Sequence, residues 1–327
     1  MSEDALVRRT RIRIRIRIRI RETGGVPEGD SVWRAARRMS GALVGHAITA
    51  SELRVPRHAT ADLSEQTVTA FVSRSKHMLL RTDAGVTMHT HFRMDGSWTV
   101  LGPGRRLPRT LGGDVRVALT LDDGRTAVAL RMPVVDLLRT ADEATVVGHL
   151  GPDLLGAGWD EAEAVRRLGS DPGRPVVEAL LDQRALAGIG NLWAVETLFL
   201  RGVFPWTPAG SVDLGGAVRL ARRMMMHALT HPAQVTTGGT RPGRTHWVYG
   251  RAGRGCRRCG TPIVLRKATG AAYQRDTWWC PSCQPQQRGT AGRPATPVVV
   301  PGVVPVAVPV VVAVVVPVVV PVVVAGA

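Results

Sequence analysis

The sequence predicts an α+β multidomain protein, and three observations point there. Between residues 66 and 132 the chain is a series of short β-rich runs separated by turn signals. After residue 150 the apolar spacing becomes helical, and residues 256–283 hold all four cysteines in two C-x-x-C pairs. A chain of 327 residues is long enough to bury more than one core.

Val32, Ala35, Ala36, Met39 and Leu43 recur at helical spacing, which predicts a helix between Ser31 and Gly45. The runs QTVTAFVSR (66–74), HMLLRT (77–82), VTMHTHFRM (86–94), SWTVL (97–101), VRVALTL (115–121) and TAVALRM (126–132) read as strands. Asp83-Ala84-Gly85, Asp95-Gly96 and Asp122-Asp123-Gly124 supply the turns between them. The result is a hairpin-rich sandwich or barrel ending near residue 150. Four helices are predicted next, over 160–169, 176–186, 191–202 and 214–231. AGIGN (187–191) is too tight and glycine-rich to be other than a turn between two of them. That makes a helix-turn-helix-like unit, whose exposed backbone amides are suited to holding a phosphate.

The formal charge is +17. Residues 1–25 contribute eight Arg against three acids and the tail only Arg288 and Arg293, so an excess of ten positive charges remains on 26–284. The basicity belongs to the folded part, and nucleic acid is the expected partner ahead of an acidic membrane surface.

Both ends are low in complexity. RIRIRIRIRI (11–20) has strand periodicity, but a perfect dipeptide repeat is also what a translated six-base DNA repeat produces. The segment lacks the continuous apolar stretch of a secretion signal. The Val-rich tail is long and apolar enough to raise the question of a membrane span, yet Pro301, Pro305, Pro309, Pro317 and Pro321 interrupt it. Each proline removes a helix hydrogen bond, so irregular or polyproline-like chain is expected there, and no membrane association.

Cys256-x2-Cys259-x20-Cys280-x2-Cys283 is the spacing of a closed tetrahedral Zn2+ site of structural type. Two such pairs and no other cysteine suit a reducing, cytoplasmic setting better than a disulfide framework. The residues between the pairs read as a hairpin, with Arg275 and Lys267 placed to touch a phosphate.

Five segments together resemble the formamidopyrimidine-DNA glycosylase and endonuclease VIII family: PEGD (27–30), SRSKHMLL (73–80), HFRMDG (91–96), DQRALAGIGNLWAVE (182–196) and QRDTWWCPSCQ (274–284). The resemblance spans nearly all of 26–284. It implies a catalytic β-sandwich domain with flanking helices over 26–148 and a helix-two-turn-helix domain over 149–240. A zinc finger follows over 246–285, and 1–25 and 286–327 lie outside the fold.

The resemblance also implies roles. In that family the initiator Met is removed and the following Pro becomes the nucleophile. Here that residue is Pro27, with Val26 in the place of Met, as a GTG start codon would appear if the gene were read from too far upstream. The chemistry makes the same demand: an internal proline nitrogen is a non-nucleophilic amide, whereas a free N-terminal proline is a secondary amine that forms an iminium at a sugar C1′. Glu28 is implied as the proton shuttle. Lys76, His91, Asn191 and Arg275 match phosphate-contacting positions. Met94 matches the residue that fills the gap left by an extruded base, although Met is also a common core residue. His89 shares a strand face with His91 and is expected to be structural. Some members carry a second acid four residues after the Pro; Ser31 stands there in this sequence.

The expectation is therefore a monomeric, bifunctional DNA glycosylase/abasic-site lyase acting on duplex DNA that contains a damaged base or an abasic site. PEGD, in place of the PELPE-like opening of the oxidised-purine branch, favours oxidised pyrimidines. The competing expectation is a zinc-finger and helix-turn-helix protein that binds damaged DNA without cutting it.

Overall fold

The computed structural model describes residues 27–286, Pro232 and Pro242 excepted. The expectations for 1–25 and for the Val/Pro tail lie outside the described residues.

Helix α1 (Gly29–Leu43) opens the fold, and the five apolar residues that predicted it are all buried. Eight strands follow: β1 (Ile48–Leu53), β2 (Val68–Arg74), β3 (His77–Thr82), β4 (Val86–His91), β5 (Ser97–Leu101), β6 (Val115–Leu121), β7 (Thr126–Leu130) and β8 (Val134–Arg139). They form two four-stranded antiparallel sheets, ordered β1-β6-β7-β5 and β2-β3-β4-β8. One core cluster draws on both sheets and on α1, uniting Ile48, Val117 and Ala129 of one sheet with Phe71, Leu80 and Met88 of the other. Phe71 and Trp98 meet edge to face across it at 5.8 Å. This is a sandwich, closed at one side by a helix.

The second half contains α2 (Ala144–Val147), α3 (Glu161–Leu168), α4 (Val176–Leu181), α5 (Asn191–Arg201) and α6 (Leu214–Ala228). The apolar faces of α3 to α6 form a separate core in which Trp193 and Leu198 are fully buried. Asp160 caps α3 and Asp213 caps α6, each accepting a first-turn amide with its side chain. A third, small core joins Val195 and Phe199 of α5 to Val248, Ile263, Cys256 and Cys280. There β9 (Val264–Arg266) and β10 (Thr277–Trp279) pair as the expected hairpin. Among the described residues no helix is long and apolar enough to cross a membrane.

Three predicted boundaries shift by three residues or more. The helix expected over 176–186 stops at Leu181, because Asp182 takes the Arg184 amide on its side chain and turns the chain. The strand expected to reach Met94 ends at His91, and the helix expected to reach 231 ends at Ala228. β1 and β8 were not predicted.

Candidate active site

The site forms where the sandwich meets the helices, and it begins with three glycines. The amide of Gly29 donates to the carbonyl of Gly188 at 3.0 Å, and a Cβ on Gly29 would lie 2.7 Å from that oxygen. Gly188 itself has φ +92, in the left-handed region that favours glycine. At Gly190 a Cβ would fall 2.3 Å from the Glu28 Cδ. The AGIGN turn is glycine-rich because Glu28 and Gly29 are laid directly against it.

Glu28 is 1% exposed. Its carboxylate accepts from the Leu192 amide at 2.8 Å and the Trp193 amide at 3.4 Å, both in the first turn of α5. These are unpaired donors at the positive end of a helix dipole, a good seat for an anion. The sequence expectation was that such amides stay open to hold a phosphate; here the protein's own carboxylate occupies two of them. Burial pushes the Glu28 carboxyl up to about 7, with the Asp30 charge adding to the effect and Lys76 and the two amides opposing it. Glu28 thus exchanges protons near neutrality, as an acid–base group must. The Glu28 amide donates to Ser31 Oγ at 3.0 Å, so Ser31 takes the place of the second acid as a local fastener. Pro27 is half-buried directly before it.

Lys76 arrives from the two-residue turn between β2 and β3. Ser75 precedes it with φ +59, held there from the helical half of the molecule. The Ser75 amide donates to Asp153 Oδ2 at 2.6 Å, and its hydroxyl to Gln183 Oε1 at 3.2 Å. Gln183 also accepts the Gly188 amide and donates to the Ile189 carbonyl. One side chain therefore ties the lysine turn to the glycine turn. Burial lowers the Lys76 pKa, the Glu28 charge raises it, and Arg275 lowers it again.

Asn191 and Arg275 are brought together by a hydrogen bond from Asn191 Nδ2 to the Asp276 carbonyl, 2.8 Å long. Arg275 is exposed, and one of its guanidinium nitrogens donates to the Gln274 carbonyl. Lys267, by contrast, is paired with Asp276 at 2.7 Å. His91 ends β4, and its Nδ1 accepts the Arg93 amide at 2.9 Å, which leaves Nε2–H as a donor. Burial holds the His91 imidazole down at about 4, so it is neutral at pH 7. His77, its cross-strand neighbour, is pushed down to about 3 by burial and the adjoining imidazoles. His89 is buried and hydrogen-bonded to His77 at 2.8 Å, which fits the structural part expected of it. Met94 is 66% exposed at the tip of the turn after β4, while Phe92 below it is buried. That position removes the core alternative for Met94.

The four cysteine sulfurs lie within 4.8 Å of one another. Cys259–Cys280 and Cys256–Cys283 sulfur distances are 3.4 and 3.9 Å. A tetrahedral ion with metal–sulfur bonds of about 2.3 Å needs sulfurs about 3.8 Å apart, so the cluster fits a tetrahedral metal ion.

Sequence reasoning missed Asp30, Asp153, Gln183 and Tyr249 near this site. Asp30 and Gln183 sat inside quoted motifs, but the only local signal for any of them is proximity to a functional residue.

The chain belongs to the formamidopyrimidine-DNA glycosylase/endonuclease VIII family. The profile of the formamidopyrimidine-DNA glycosylase N-terminal domain matches residues 26–131. A probable endonuclease 8 2 of Streptomyces coelicolor is 48% identical over 272 residues, which cover 82% of this chain and 96% of that one. A Mycolicibacterium smegmatis protein described as DNA-(apurinic or apyrimidinic site) lyase Nei2 is 40% identical over 260 residues, covering 79% and 99%. Among solved structures, the Lactococcus lactis formamidopyrimidine-DNA glycosylase bound to abasic-site DNA matches with a TM-score of 0.66 at 21% identity, over 79% of this chain and all of that one. The Thermus thermophilus MutM protein matches with a TM-score of 0.64 at 28% identity, over 79% and 98%.

Proposed function

We propose that this protein is a bifunctional DNA glycosylase and abasic-site lyase of base excision repair, with Pro27 as nucleophile. The observation that carries the proposal is the buried Glu28 carboxyl, titrating near 7 beside Pro27 on the amides of α5. With Pro27 as the first residue, its amine attacks C1′ of the damaged nucleoside, the base leaves, and an iminium forms. Glu28 delivers a proton to the sugar ring and recovers it as the strand is cut by β,δ-elimination. Lys76, Asn191, Arg275 and the Nε2–H of His91 bind the backbone phosphates, and Met94 enters the stack as the base leaves it. Oxidised pyrimidines are the favoured bases.

The functional parts divide as a catalytic sandwich over 26–148, a helix-two-turn-helix unit over 149–240 and a zinc finger over 246–285. Zn2+ is the metal assigned to Cys256, Cys259, Cys280 and Cys283. All four positions of a tetrahedron are then filled by thiolate, so the ion anchors the hairpin that carries Arg275. The protein is assigned as a cytoplasmic monomer.

The deciding experiment is borohydride trapping on duplex DNA with one abasic site, using protein whose first residue is Pro27. A stable protein–DNA adduct is expected, absent when the Pro27 nitrogen is acylated. Salt-sensitive binding without an adduct would favour the non-cutting DNA-binding protein.

A further inference from the structure

The reaction above uses Pro27 and Glu28 of the opening PEGD and leaves Asp30 without a task. Asp30 is 0% exposed. Its Oδ1 accepts from Trp193 Nε1 and from Gln234 Nε2, each at 2.9 Å. Its Oδ2 faces the Arg34 guanidinium at 3.2 Å. Trp193 therefore holds two carboxylates at once, Glu28 on its backbone amide and Asp30 on its indole.

A tie between α1, α5 and the segment after α6 does not need a charge. An Asn side chain would accept from the same two donors without the desolvation penalty of a buried carboxylate. What Asn would not supply is a negative charge two residues from Glu28, in surroundings with little water to screen it.

We propose that Asp30 is a positioning residue for the acid–base step: through Trp193 it fixes where the Glu28 carboxylate lies, and its negative charge favours the protonated form of that carboxylate. The proposal rests on the assignment of Pro27 and Glu28 to the lyase reaction. Several charged groups act on this pair. Lys76 faces Glu28 and favours its ionised form, and Arg275 acts on Lys76 in turn. The Tyr249 phenol is pushed up to about 12 by burial, Glu28 and Asp276, so it stays neutral and contributes no charge. Arg34 faces Asp30. After burial, Asp30 is the group that most favours the proton on Glu28.

The test is the pH profile of single-turnover cleavage of abasic duplex DNA by protein beginning at Pro27, wild type against Asp30→Asn. Asn keeps the acceptor for Trp193 and Gln234 and removes the charge. The limb belonging to Glu28 is expected to move toward acid by roughly half a pH unit or more, whichever protonation state the limb reports. A slower enzyme with an unmoved limb would make Asp30 a structural tie only and overturn the proposal. If D30N does not fold, Arg34→Gln serves instead: it strips the countercharge from Asp30, and the limb must move toward alkali. An unmoved limb there also overturns the proposal. Failure of the wild type to cleave or be trapped would instead refute the lyase assignment, so the two failures are distinct.

Discussion

Gly190→Ala is the smallest change that should disable this site. By local propensity it is nearly neutral, because Ala in place of Gly at a helix N-cap costs only a few tenths of a kcal/mol to about 1 kcal/mol. It also restricts the unfolded chain, which adds roughly 0.4–1 kcal/mol of stability. The structure predicts otherwise. The new Cβ would stand 2.3 Å from the Glu28 Cδ and 2.6 Å from its Cγ and Oε1, well inside contact distance. The backbone is held, since the Glu28 amide is bound to Ser31 and the next residue is bound to Gly188, so it is the Glu28 side chain that must give way. The carboxylate must leave the amides of Leu192 and Trp193, and each buried donor left unpaired costs about 1–3 kcal/mol. Net of the entropic gain, a loss of about 2–5 kcal/mol is expected, or a Tm lowered by roughly 4–10 °C for a chain of this size. Displacing Glu28, the proposed proton shuttle, should also slow abasic-site cleavage by about 10²–10⁴-fold. Thermal melts and single-turnover cleavage, both with protein beginning at Pro27, measure the two effects. A G190A protein with wild-type Tm and rate would refute the steric reasoning and the placement of Glu28 with it.

Other outcomes are expected on the same footing. The Glu28 carboxyl, raised from 4.5 to about 7 by folding, makes the native state bind more protons than the unfolded state between those values. Stability relative to Glu28→Gln should therefore fall as pH rises through that window, by about 3 kcal/mol in all; denaturant melts that show no pH-dependent difference would contradict the burial argument. Met94→Ala should leave Tm within about 1 °C, because the side chain is 66% exposed, yet slow base excision more than abasic-site cleavage. Equal slowing of both would remove Met94 from base extrusion. Chelation should unfold the 246–285 module and weaken DNA binding at least tenfold, with recovery on adding Zn2+; binding that survives chelation would uncouple Arg275 from the metal. Asp153→Ala should release the Ser75 turn and cut phosphate affinity through Lys76, read as a flatter salt dependence of DNA binding.

The strands over 77–82, 97–101 and 115–121 were legible to the residue, because each is a short apolar-rich run bounded by turn residues. β1 was not legible. ITASEL begins with a register shift between Ile48 and Ala50 and buries only its two ends, so no period-2 pattern survives. β8, VVDLLR, lacks alternation and follows Pro133 directly, and only its pairing with β4 makes it a strand. The four-cysteine cluster was readable from spacing alone. The acid–base site was readable only as a resemblance, because its partners lie more than 160 residues apart in the chain. No local pattern announces that Gly190 is glycine because of Glu28.

The Ser75–Lys76 turn belongs to the sandwich by sequence, yet Asp153 and Gln183 from the helical half hold its shape. Glu28 likewise sits at the start of the sandwich and finds its donors on α5. Neither half completes the proposed active site by itself. A nascent or damaged chain in which the two cores have formed but not docked holds every reactive residue and cannot break a strand. For a protein whose work is to cut the genome, the fold is its own safety catch: the blade closes only when the whole tool is assembled.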